Sequence, residues 1–266
     1  SDCALIECQP RVCMIRFGGA LIRCATALHA AEPVITLRES PVRVMTGSGA
    51  EIFPEAWRGG KVQASGDVLP AERREQALRV MDAALAKYPA EVLREHLQAL
   101  YLLGELRYRG VITSGTNSKT SVYVKIGPPE KGFTARHNES VFHAEFSSIL
   151  IRNRPLFLDQ TAWKSANPPT FTYLGDGVDA VKQGKARTTL DNTLNARGFL
   201  SQYGQSTLEN DFNGFAGRLW TGDANLWQLA KQHPAIQRKI TLVLRFYQQL
   251  HPKLDEAFFR ALVPSR

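Results

Sequence analysis

Glu145 stands in the segment Val141-Phe142-His143-Ala144-Glu145-Phe146-Ser147-Ser148-Ile149. Read as a helix, in which each residue turns by about 100°, this segment puts Glu145 on one side with Val141, Phe142, Ser148 and Ile149, among mainly apolar neighbours. A carboxyl so placed is partly desolvated, which raises its pKa and suits it to general acid or base work. The same placement also suits a structural carboxylate bonded to a neighbouring segment. His143 points elsewhere, on a side with Glu139 and Ser147, and reads as a satisfied polar residue or as a ligand. Further on, Leu208, Phe212, Phe215 and Leu219 form an apolar stripe with Glu209 and Asp211 on its opposite borders, from which an acid can reach a cleft. Ser206 followed three residues later by Glu209 equally fits a capping box, and Asp211 fits an acid that complements a helix dipole.

The elements that must carry these residues follow from hydrophobic period. Residues 34 to 45 are β-branched and interrupted by Pro41, which predicts a hairpin or two short strands, and glycines at 47, 49, 59, 60 and 66 mark loops. From Pro70 the spacing of Leu78, Met81, Leu85 and Tyr88 predicts a helix that Pro89 ends. A second helix starts near Ala90 and takes in Val92, Leu93, Leu97 and Leu100, with Tyr101 to Leu103 already of strand type. Ser121 to Ile126 alternates as a half-buried strand does. Helices are predicted over 139–152, 206–220, 226–250 with a break at Pro234, and 255–262, and a loop over 154–177. Strands first and helices after them argue for an α+β fold rather than a doubly wound parallel sheet.

With 266 residues the chain is long enough for one large domain or two small ones, and 44% hydrophobic with 22% charged residues is an ordinary globular composition that excludes fibres and general disorder. The net charge of +8 comes from scattered bases with no long basic run, which argues against nucleic acid as the partner. No stretch of eighteen apolar residues occurs, so no spanning helix is expected. All four cysteines, Cys3, Cys8, Cys13 and Cys24, precede residue 25, so any metal held by the rest of the chain must use His, Asp or Glu. Residues 1–31 read as a leader or a weak signal for secretion to the periplasm or beyond. A basic start at Met14 to Arg16 precedes a short apolar run that Arg23 interrupts, and Met14 also fits a true start.

Phosphate-cradling and nucleophile-elbow motifs are absent, and Lys119-Thr120-Ser121 has no S-x-x-K partner, so it reads as a polar turn. Four stretches carry a likeness instead: Lys87-Tyr88-Pro89, Gly115-Thr116-Asn117-Ser118, Phe142 to Ser148, and Leu208 to Asn213. In this order they resemble zinc metallopeptidases of the zincin type, over roughly residues 70 to 220 of a domain spanning 32–266. That resemblance implies a strand bordering a substrate cleft, a helix bearing H-E-x-x-H, a later helix supplying a carboxylate ligand, and a peptide or protein as substrate or ligand. Carried onto this chain, it makes Glu145 the general base, Tyr203 an oxyanion donor, and His143, Glu209 and Asp211 the remaining candidates for zinc. The motif is eroded, because Ala144 and Ser148 stand where both histidines belong. His143 cannot substitute by a shift of one, which leaves Glu145 about 200° around the helix from it. Two expectations follow: peptide hydrolysis by metal-activated water, or a catalytically silent chain that keeps the cleft as a peptide- or surface-binding module.

Overall fold

The computed structural model describes residues 40–265 and, as backbone, four short strands before them. Two compact units divide the chain, residues 1–32 and 33–266. In the first, β1 (Cys8–Gln9), β2 (Val12–Phe17) and β3 (Ala20–Arg23) pair antiparallel in sequence order. The remainder of the expected leader, and the side chains of its cysteines, lie outside the described residues.

The second unit is α+β. Its main sheet is built from β4 (Val34–Thr36), β5 (Arg43–Met45), β7 (Ala99–Leu103), β10 (Gly115–Asn117) and β11 (Ser121–Lys125), in the order β10-β11-β7-β5-β4. The three central strands are parallel, and an antiparallel strand closes each edge. A smaller antiparallel sheet joins β6 (Ser65–Asp67), β8 (Glu105–Tyr108) and β9 (Val111–Ile112). On one face of the main sheet pack α1 (Ala71–Leu85), α2 (Ala90–His96) and the long α3 (Ala135–Asn153), through Leu100, Leu102, Val122 and Val124. The helical half continues with α4 (Gln160–Ser165), α5 (Gly177–Lys182), α6 (Asn192–Asn195), α7 (Leu208–Trp220), α8 (Ala224–Gln232), α9 (Pro234–Leu250) and α10 (Glu256–Ala261). Among the described residues no helix is long and apolar enough to cross a membrane.

Local chemistry explains where the elements depart from the expected bounds. The helix expected from Glu139 begins at Ala135, because the Thr134 side chain accepts the His137 amide 3.2 Å away and caps it four residues earlier. The second helix stops at His96, and Leu100 belongs to β7 instead. β11 is buried on both faces, not one: Tyr123 stacks between Phe53 and Tyr101 and donates its hydroxyl to the Ile52 carbonyl at 3.0 Å. The expected loop at 154–177 contains α4, whose first turn Asp159 caps through the Ala162 amide. At α7 the cap is Thr207, which accepts from the Asn210 amide at 3.0 Å, so the Ser206–Glu209 capping box does not form.

Candidate functional site

Helix α3 lies between the main sheet and α7, and it runs antiparallel to α7. Ser140 faces Gly217, Ser148 faces Asn213 and Arg152 faces Glu209, so numbers rise along one helix as they fall along the other. The approach is close because α7 turns small and amide residues toward α3. Asn210, Asn213, Gly214 and Gly217 share a stripe roughly opposite Phe212, Phe215 and Leu219, which enter the core. A Cβ at Gly217 would stand 2.6 Å from Ser140 Oγ and 3.0 Å from its carbonyl oxygen. Gly115 does the same for β10, where a Cβ would lie 2.6 Å from Val141 Cγ1 and 2.8 Å from Glu145 Cγ.

Between β10, α3, α7 and the segment carrying Tyr203 opens a cleft of about 560 Å³. Glu145 and Tyr203 both line it, together with Ala144, Asn210 and Asn213. Asn117 donates its side-chain amide to Glu145 and accepts through its oxygen from Arg152. Arg152 also donates to the Ser118 carbonyl at 3.1 Å and to Glu209 at 3.0 Å. Glu145 and Glu209 are thus the ends of one polar chain running through an amide and a guanidinium. Burial pushes the Glu145 carboxyl up to about 7 against the pull of Asn117, and the Glu209 charge adds to the rise. Burial also raises the Tyr203 phenol, as do the charges of Glu145 and Asp176.

The other two candidate ligands lie elsewhere. His143 is wholly buried, with Nδ1 2.8 Å from the Tyr88 hydroxyl, Nε2 3.4 Å from Glu139 and its ring stacked on Trp220. Burial holds its imidazole down at about 4 despite Glu139, so it is a neutral packing residue near pH 7. Asp211 lies about 100° around α7 from Asn210 and enters the core, where it accepts from Lys239 at 2.6 Å, Tyr173 at 2.8 Å and Trp163 at 3.0 Å. The expectation that His143 and Asp211 share a site with Glu145 is corrected on these grounds. His137 does line the cleft, and its Nε2 is buried without a hydrogen-bond partner.

The positions beside Glu145 do not fit a zinc ion. Ala144 has no donor, and Ser148 Oγ accepts from Asn213 Nδ2 at 2.7 Å. Among the described residues no three of His, Cys, Asp and Glu gather as a metal-holding group. Asn117 and Asn213 stand in stretches that carry the resemblance but were given no role there, and Arg152 was not singled out. The small and amide stripe of α7, opposite its phenylalanines, was a further signal for Asn213; nothing local marked Arg152. No protein-family model, no curated protein and no solved structure matches the chain.

Proposed function

We propose that this chain is a catalytically silent, zincin-like protein whose cleft binds peptides in extended form. The observation that carries the reading is the Ser148–Asn213 hydrogen bond: a neutral side-chain pair ties α3 to α7 where the resemblance calls for a histidine and an ion. Glu145 and Tyr203 keep their places on the cleft wall, with Glu209 at the end of the polar chain from Glu145. Among the described residues the donor set that would activate a water on zinc is missing.

A peptide-binding role is supported by the sheet edge. The Lys125 amide donates to Ser114 and the Ser118 amide to Ser121, each at 2.8 Å. In an antiparallel ladder the bonded pairs alternate, so the amides and carbonyls of Gly115 and Asn117 point away from β11, on the outer side of the last strand. The Gly115 carbonyl takes the Thr113 hydroxyl at 2.9 Å. The Gly115 amide and both Asn117 groups are left as a template for an added strand.

Elemental analysis after incubation with zinc and desalting, alongside retention of a randomised peptide pool on the immobilised protein, tests this. Peptide retention without stoichiometric zinc is expected. Stoichiometric zinc together with chelator-sensitive peptide cleavage would overturn it.

A further inference from the structure

The cleft has two chemically different ends. Beside Gly115 stands Glu145, with the unpartnered side-chain oxygen of Asn213 in the wall. At the other end Arg218 pairs with Asp223 at 2.6 Å and donates to the Thr188 carbonyl at 3.2 Å, while Arg136 reaches the same Asp223 at 3.6 Å. Two guanidiniums therefore share one carboxylate, which also accepts the Asn225 amide at 3.1 Å. Arg136 lies in the first turn of the nineteen-residue α3, a turn that contains no acidic residue, so the helix dipole adds to the positive potential there. Its side chain is 55% exposed and free to turn toward a ligand. A guanidinium with spare donors next to a helix N-terminus is suited to a carboxylate.

The helix supplies the scale. Nine residues separate Arg136 from Glu145, about 13 Å of helix, and an extended peptide covers that span in about four residues. Resting on the peptide-binding reading above, we infer that the cleft seats a carboxylate of its peptide ligand at the Arg136–Arg218 end, about four residues from the segment beside Glu145. That carboxylate is a free C-terminus or an acidic side chain.

Three pools of N-acetylated hexapeptides distinguish the sources: random free acids, random C-terminal amides without Asp or Glu, and the same amides with Glu fixed at the last position. Each is passed over the immobilised full chain, and the retained peptides are quantified by mass spectrometry. Free acids are expected to be enriched about five- to tenfold over the acid-free amides, the yield of one or two added charge-assisted bonds. Retention of the Glu-bearing amides to the same degree assigns the carboxylate to a side chain; retention of the free acids alone assigns it to the C-terminus. Arg136→Gln should bring the enrichment close to unity without lowering the melting temperature, since the Arg136 side chain is largely exposed and the buried Asp223 keeps Arg218 and the Asn225 amide as partners. Asp223→Asn, which can keep the cap on α8, should raise it. Equal retention of free acids and acid-free amides, or an enrichment that Arg136→Gln leaves intact, overturns the inference while peptide binding stands. Retention of none of the pools removes peptide binding itself.

Discussion

Lys239 on α9 places its ammonium 2.6 Å from the Asp211 carboxylate on α7, and both side chains are almost wholly buried. The ammonium also donates to the Gly198 carbonyl at 2.8 Å and lies 4.2 Å from the centre of the Phe199 ring. Burial raises the Asp211 carboxyl and lowers the Lys239 amine, each opposed by the partner's charge. Such a pair is costly to break and cheap to replace. Lys239→Met leaves a carboxylate without its counter-ion and should lose about 3–5 kcal/mol, read from urea unfolding. Lys239→Met with Asp211→Asn should recover more than half of that loss. A double variant no better than the single one would show that the pair's packing, not its charge, holds the two helices.

His143 predicts an acid-labile core. Its folded pKa of about 4 lies below the ordinary value of 6.5, so the unfolded chain takes up a proton that the folded one refuses. The His143 contribution is then complete above about pH 6.5 and is lost as pH drops toward 4, by up to about 3 kcal/mol. Glu139, drawn down to about 2 by His143 and Lys87 against its burial, acts in a lower window, below about pH 4.5. Compared by urea unfolding, the stability of the wild type relative to His143→Gln should fall as pH drops from about 7 to about 4.5. His96 and His137, which burial also holds down, act in the same direction in both proteins, and Glu145 acts in the opposite one.

The α+β order, most helix positions and the break at Pro234 were legible because they rest on local signals of period and capping. Tyr123 was not, since its burial depends on Phe53, which arrives from seventy residues away in the chain. Glu145 was found because its own helix turns it among apolar neighbours. Period turned His143 toward Glu139 and away from Glu145, as the structure has it, and only the resemblance put it and Asp211 among the ligands; which neighbours meet them is decided by Tyr88 and Lys239, remote in sequence. Asn117 and Arg152 join Glu145 to Glu209 only after the β10 edge folds against α3.

Gly217→Ala tests the close passage of α7 over α3. In an isolated helix the change is favourable by about 1 kcal/mol, yet the new methyl group meets the Ser140 side chain and carbonyl at 2.6 and 3.0 Å. Overpacking of about 1–3 kcal/mol should prevail and lower the melting temperature. Ser140→Gly in the same chain relieves only the side-chain part, so a partial recovery is expected. A gain in stability on Gly217→Ala would mean that the helices part readily, and the cleft wall with them.

Glu145→Gln separates a carboxyl retained for the cleft from one retained for the fold. Glutamine preserves the shape and can still accept the Asn117 amide, so the bond to β10 survives and only the charge is lost. The folded pKa of about 7 lies above the ordinary 4.5, and here the sign is the reverse of that for His143. The folded chain keeps a proton that the unfolded chain releases, so the Glu145 contribution to stability declines as pH rises from about 4.5 through 7. The advantage of Gln over Glu should therefore grow across that window, reaching about 2–3 kcal/mol by pH 8 as followed by urea unfolding. A difference that stays flat with pH would mean that the carboxyl is well solvated. A loss of stability at every pH would make Glu145 a structural acid. A rising difference would mark a position where the chain bears a stability cost that an amide of the same shape avoids, and such costs are characteristic of positions kept for what they bind.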